Sequence, residues 1–337
     1  MGDRTAEQPI SPPTDVIVVG ASAGGVEALR EFVGGLPSDL SAAVLVVLHM
    51  APHAFSALPA ILGRVGPLSV VRATDGKPLT AGTIYVAIPD HHLLVTRHRI
   101  LLSHGPTENH HRPGVDALFR SAAMTWTPRV AGVVLSGSLD DGTAGAVLIK
   151  SRGGLVGVQA PEDALYPGMP QSVLARVPVD FVLPAAELAA AVAKSLRSRP
   201  DPAHRPHTEL DELETRIDAG SEPDARELTQ LTEPSGLSCP DCGGVLFTLP
   251  GGERFRCRVG HAWTVEALLM EKNMQTEQAL WAGLRALREK QQLAEKMSVD
   301  ALRRGDEELA RRFADHGAEQ ASAIETLQKL LVGHNGG

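Results

Sequence analysis

The chain has 337 residues, 43% of them hydrophobic and 21% charged, with a formal net charge of −8. That length suits a sizeable core and more than one domain, and an acidic balance without a basic block excludes a nucleic-acid partner. Three cysteines, an odd number confined to positions 239–257, exclude a disulfide framework. Met1–Thr14 is polar and proline-containing, with no apolar signal core, and no segment has the length and apolarity of a membrane span. A cytoplasmic protein without direct membrane insertion is therefore expected.

The first element is a β-branched run, Val16–Val19, that stops at Gly20; Ser22 follows, then Gly24 and Gly25, with a helical pattern from Val26. Strand, tight turn and helix around Gly-x-Ser-x-Gly form a nucleophile elbow, with free helix N–H groups beside the serine. The same residues also suit a phosphate-cradling first turn of a nucleotide-binding sheet. Further apolar runs lie at 43–48, 68–72, 83–88, 100–103, 130–136, 155–159 and 180–183. Helical stretches lie at 26–33, 56–62, 115–125, 143–152 and 185–196. Nearly continuous apolar strands alternating with helices predict an α/β fold, a doubly wound, mostly parallel sheet with helices on both faces. Its site should sit at the carboxyl ends of the strands.

The strand at 43–48 ends in His49-Met50-Ala51-Pro52, which places His49 as a general base for Ser22. A dinucleotide site would require Asp or Glu there. His53 lies beyond a proline and is expected to point elsewhere. The strand at 130–136 runs into Gly137-Ser-Leu-Asp-Asp-Gly142, which offers Asp140 and Asp141. An aspartate there can orient the imidazole, although capping of the next helix by Asp141 or Thr143 explains the same residues.

Gly20-Ala-Ser-Ala-Gly-Gly25, His49-Met50, Arg112-Pro-Gly-Val-Asp-Ala-Leu-Phe119, Leu135-Ser-Gly-Ser-Leu-Asp-Asp-Gly142 and Gly168-Met-Pro170 together resemble the catalytic domain of the chemotaxis protein-glutamate methylesterases. The resemblance implies hydrolysis of glutamate methyl esters on a methylated receptor or another signalling protein, with deamidation of certain glutamines. It implies Ser22 as nucleophile, His49 as base and Asp141 as its orienting carboxylate. Asp140 falls at the neighbouring, non-catalytic position. The oxyanion hole would be the backbone N–H groups of Ala23 and Ser138. Ala23, Ser138 and Gly114 stand where the family usually has Thr, Met and Ser. Chemotaxis methylesterases also carry a receiver domain before the catalytic domain, whereas only Met1–Thr14 precede the first strand here, so that control is expected to be absent. The catalytic domain is expected over 15–197.

Residues 198–236 are rich in Pro, Asp and Glu and read as a solvated linker with a short helix around Glu209–Ile217. Cys239-Pro-Asp-Cys242 and Cys257-Arg-Val-Gly-His261 follow, separated by a fourteen-residue spacer. Cys239, Cys242, Cys257 and His261 fit a tetrahedral, structural Zn²⁺ site with no open position, and 237–263 reads as a zinc-ribbon-like module around a small hairpin. Too little apolar material lies there for the module to fold without a staple. No cofactor is expected for catalysis.

Residues 264–332 carry two apolar stripes. One runs through Val265, Leu268, Leu269, Leu280, Leu284 and Leu287, the other through Leu309, Phe313, Ile324, Leu327 and Leu331, with a turn at Gly305-Asp306. They predict a helical hairpin or a dimerising coiled coil, and self-association through these helices. The function expected is that of a serine hydrolase of the methylesterase type. The reading from a different class is a signalling module that keeps the fold and binds partners without catalysis.

Overall fold

The computed structural model describes residues 11–54, 56–198, 206–222 and 225–333. It divides into a unit over 1–267 and a second over 268–337. The first unit opens with β1 (Asp15–Ala21), α1 (Gly25–Gly34), β2 (Ala42–Leu48), α2 (Leu58–Leu62), β3 (Ser69–Arg72), β4 (Thr83–Val86), β5 (His92–Val95) and β6 (Ile100–Ser103). It continues with α3 (Val115–Trp126), β7 (Val130–Val134), α4 (Thr143–Ser151), β8 (Leu155–Gln159), α5 (Gly168–Arg176), β9 (Phe181–Leu183) and α6 (Ala185–Arg197).

Seven strands form one sheet in the order β3-β4-β2-β1-β7-β8-β9, and every neighbouring pair is parallel. β1 is an unbroken apolar run because both its faces are covered. Val16 and Val18 pack towards α3, α4 and α5, and Ile17 and Val19 towards α1, α2 and α6. The chain leaves β1 for β2 on one side and returns to β7 on the other, so the strand order reverses beside β1. Crevices for ligands open at the carboxyl ends of strands at such a reversal.

Two elements depart from the sequence pattern. β5 pairs antiparallel with β6 in a hairpin separate from the main sheet. The other is α5, whose first turn holds Gly168 and Pro170. Neither residue signals helix, yet proline is tolerated there because the first N–H groups have no intrahelical partner.

Beyond α6 come α7 (Glu209–Asp218), α8 (Ala225–Leu231), β10 (Glu233–Ser238), β11 (Val245–Thr248), β12 (Arg254–Cys257) and β13 (Ala262–Thr264). Thr208 and Asp211 form a capping box that starts α7. The stretch expected as solvated linker is in part packed: Leu213 and Ile217 join Leu228 and Phe247 in a small core, and Glu214 and Asp218 are buried. Residues 199–205 and 223–224 of that stretch lie outside the described residues. Strands β10 to β13 make a four-stranded antiparallel sheet.

The long helix α9 (Val265–Arg303) begins in the first unit, and α10 (Glu307–Gly333) lies in the second. Gly305 has φ +79° and the N–H groups of Gly305 and Asp306 bond back to Leu302 and Ala301, the pattern that closes a helix at a left-handed glycine. Asp306 Oδ1 then accepts from the Leu309 N–H, 3.0 Å, and starts α10. Leu284, Ile324 and Leu331 form the buried seam of this helical hairpin, flanked by Leu280, Leu287 and Leu327. Val265 and Leu269, expected on the inward stripe, are exposed. Among the described residues no helix is long and apolar enough to cross a membrane.

Candidate active site

Ser22 follows β1, His49 follows β2 and Asp141 lies beyond β7, so three adjacent parallel strands deliver them to one edge. The Ser22 N–H donates to the Ser136 carbonyl, 2.9 Å, and the His49 N–H to the Ala21 carbonyl, 3.1 Å, extending the ladder into both turns. Glycine is required twice. Gly24 has φ +68°, and a Cβ there would lie 2.7 Å from Ser136 Oγ; a Cβ on Gly137 would lie 2.0 Å from Met169 Sδ and 3.0 Å from Ser22 Cβ.

His49 Nδ1 lies 3.2 Å from Ser22 Oγ, and Nε2 lies 2.7 Å from Asp141 Oδ2. A carboxylate only accepts, so the proton belongs on Nε2, which leaves Nδ1 free to accept from the serine hydroxyl. The His49 and Asp141 side chains are 7% and 4% exposed, while Ser22 is only half-buried.

The Asp141 carboxylate also accepts from the N–H groups of Val115 (2.8 Å), Asp116 (3.0 Å) and Gly142 (2.9 Å). Burial opposes its charge, but the His49 hydrogen bond and the backbone donors outweigh it and hold the carboxyl well below its usual range. Two of those donors are the first residues of α3. Asp141 therefore caps that helix, while its neighbour Gly142 starts α4 without a side-chain cap.

Asp140 takes a different part. It is buried and accepts from Thr264 Oγ1, 2.9 Å, and burial pushes its carboxyl up to about 6. His53 is exposed. Ala23 and Ser138 lie on the two segments that flank Ser22. Ser136 Oγ ties these segments together by donating to the Ala23 carbonyl at 2.8 Å and accepting from the Tyr166 N–H at 3.0 Å.

The sequence reading missed His111. Its ring stacks on His49, centroids 3.9 Å apart and planes 14° off parallel, and burial together with His49 pulls its pKa down to about 4. The signal available was a histidine pair, 110–111, directly before the Arg112–Phe119 motif. Also missed was a buried ionic cluster. Arg256 contacts Glu108 (2.7 Å) and Glu214 (2.8 Å), and Arg120 pairs with Glu108 and Asp218. Despite burial, Arg120 and Arg256 hold Glu108 down at about 2. These side chains come from α3, α7, β12 and the segment before α3, whose mutual approach no local pattern announces.

In the antiparallel sheet, where Arg256 adjoins Cys257, the Sγ atoms of Cys239, Cys242 and Cys257 and a ring nitrogen of His261 all lie within 4.8 Å of one another. Cys242 and Cys257 are 3.7 Å apart at sulfur, and His261 Nδ1 is 3.8 Å from Cys239 and 3.6 Å from Cys257. Tetrahedral Zn–S bonds of about 2.3 Å and Zn–N bonds of about 2.0 Å give ligand separations of roughly 3.5–3.8 Å, so the cluster fits that ion.

Residues 17–192 match the family described as CheB methylesterase. A protein-glutamate methylesterase/protein-glutamine glutaminase of Methanosarcina mazei is 37% identical over 191 residues, covering 54% of this chain and 52% of the relative. One from Nocardioides is 40% identical over 200 residues, with 57% and 54% covered. The chain thus spans about half the length of the curated relatives it matches. The crystal structure of the Thermotoga maritima CheB methylesterase catalytic domain aligns with a TM-score of 0.52 and 31% identity, covering 55% of this chain and 99% of that one.

Proposed function

Because this chain belongs to the CheB methylesterase family, we propose that it is a serine hydrolase that removes methyl esters from glutamate side chains of a receptor-like signalling protein. Ser22 Oγ attacks the ester carbonyl while His49 Nδ1 takes its proton. The N–H groups of Ala23 and Ser138 receive the developing oxyanion. Methanol leaves with the proton returned by His49, which gives a glutamyl ester of Ser22. Water, deprotonated by His49, then releases the glutamate. A glutamine side chain follows the same route with ammonia as leaving group. Asp141 fixes the imidazole tautomer and stabilises its cationic form.

The observation that carries this reading is the chain of contacts from Ser22 through His49 to Asp141 at the ends of three neighbouring strands. Methanol release from a methyl-esterified glutamyl peptide tests it. The wild type should release methanol and Ser22→Ala should not, and release by purified Ser22→Ala would end the proposal. A binding module that kept the fold without catalysis would release none in either form.

Further parts belong to the proposal. The Cys239, Cys242, Cys257 and His261 cluster holds one structural Zn²⁺, and the catalytic body is 15–197 with the metal module at 237–263. The exposed Met270, Met274 and Trp281, which fall on one face of α9, support self-association through the helical extension. Sedimentation should then detect an oligomer that a Met270→Glu, Trp281→Glu variant loses. The protein works in the cytoplasm, where its thiols stay reduced.

A further inference from the structure

Asp241 lies between Cys239 and Cys242, outside the 17–192 segment that matches the family. Both its carboxylate oxygens are engaged by one distant segment. Oδ2 accepts from Thr107 Oγ1 at 2.7 Å, and Oδ1 lies 2.7 Å from His110 Nδ1. That segment is a tight turn closed by reciprocal backbone hydrogen bonds between Glu108 and His111, 3.1 and 2.8 Å. Its central residues, Asn109 and His110, have φ of +50° and +66°. Two successive non-glycine residues in the left-handed region persist only where their surroundings hold them.

The metal module supplies that hold. The Asn109 N–H donates to the Ala262 carbonyl (2.8 Å), the Ala262 N–H donates to the Thr107 carbonyl (3.1 Å), and Asn109 Oδ1 accepts from the Thr264 N–H (2.8 Å). Asp241 grips the outer side of the same turn. The turn ends at His111, whose ring lies flat on that of His49.

We propose that Asp241 is a positioning residue for His49: through Thr107 and His110 it fixes the 107–111 turn and so holds the His111 ring against the catalytic imidazole. The inference rests on the hydrolase reading for its catalytic consequence. Both His49 nitrogens face other partners, Ser22 and Asp141. His111 therefore acts through its ring face, limiting the tilt that would lengthen the 3.2 Å contact with Ser22. With its pKa lowered to about 4 by burial and by His49, His111 is uncharged near neutrality and adds no repulsion when His49 becomes imidazolium. The catalytic body also holds the far end of the turn, through Arg112 on Asp90 and on the Gly105 carbonyl. Loss of Asp241 should loosen the ring rather than release it.

The test uses the full chain loaded with Zn²⁺ and follows kcat and KM for p-nitrophenyl acetate, zinc content, and the ¹⁵N imidazole resonances of His49. Asp241→Ala should lower kcat about tenfold with KM nearly unchanged, as expected for a small misplacement of a catalytic group. It should keep its zinc, and the His49 resonances should broaden or double. Asp241→Asn, which keeps one acceptor for Thr107, should fall between. A Thr107→Val, His110→Ala variant leaves the metal module intact and should reproduce the effect even where Asp241→Ala loses zinc. Wild-type kcat with unchanged His49 resonances in that double variant would overturn the inference. Absence of hydrolysis by the wild type, with His49 resonances still perturbed in the variants, would sink the hydrolase reading and leave the positioning intact.

Discussion

The parallel sheet and the Cys3His module lie in one unit and are held together by opposite means. β1 and β2 are apolar nearly throughout, and their side chains enter two cores shared with six helices. The module buries only a few large apolar side chains, Leu246, Phe247, Leu249, Phe255 and Trp263, and its ties are Arg256 among carboxylates, Asp241 on the 107–111 turn and the proposed zinc on the cysteine cluster. Many small apolar contacts tolerate the loss of any one, whereas a few charged or ligating groups leave buried, unpaired partners behind. A robust body therefore carries the proposed catalytic residues, and on the proposal above a module that depends on a handful of groups supports them from outside.

The sharpest separation of chemistry from folding comes from Ser22→Ala and His49→Ala. Each should lower ester turnover by on the order of 10⁴- to 10⁶-fold, with a thermal midpoint close to that of the wild type. The double variant should be no worse than either single by more than a few-fold, because members of a triad act as one device. Losses that multiply would mean that the two residues do not work on the same step.

Asp141→Asn comes next, at about 10⁴-fold in kcat, because the amide cannot both accept from His49 and satisfy the α3 donors as a carboxylate does. Asp140→Asn should be mild. A reversal would move the orienting role from the residue on His49 to the residue on Thr264.

Removing the proposed zinc probes the other region. Chelation or Cys257→Ser should abolish amide protection across 237–264, since zinc contributes on the order of 10 kcal/mol to folds of this kind, while β1, β2 and β7 remain protected. Hydrolysis should fall by about tenfold without being lost. Global unfolding would contradict the independence of the sheet, and unaltered activity would contradict the support it draws from the module.

The smallest effect is on stability. Asp140, raised to about 6 by burial, binds its proton more tightly in the folded chain than in the unfolded one. Folded-state stability should therefore fall as pH rises from about 4 to about 6 and stay lower above that window. Asp140→Asn keeps an acceptor for Thr264 and should flatten this slope, gaining on the order of 1 kcal/mol at pH 7. Chemical denaturation at pH 4, 5, 6 and 7 measures it. An unchanged slope would mean that another group titrates there.

What the sequence disclosed follows the same division. The parallel sheet could be read because burial on both faces leaves continuous apolar runs such as Val16–Val19. Ser22 and His49 stood out because each directly follows a strand, whereas the choice of Asp141 over Asp140 came from the resemblance to the methylesterases. The cysteine spacing announced its own cluster. What stayed hidden was long-range and polar: Glu214 and Asp218 looked like solvated linker charges until Arg120 and Arg256 met them, and nothing near Asp241 pointed to His110. α5 was hidden by a glycine and a proline that break helices elsewhere but are tolerated in a first turn.

The central claim is that Ser22 is an activated nucleophile, and a fluorophosphonate probe examines it directly, since only a serine with an engaged base reacts quickly. Intact-mass and peptide mapping of the labelled wild type should find a single adduct on Ser22, absent from Ser22→Ala and strongly slowed in His49→Ala. A folded wild-type protein that takes up no label, or takes it up at another residue, would contradict the account.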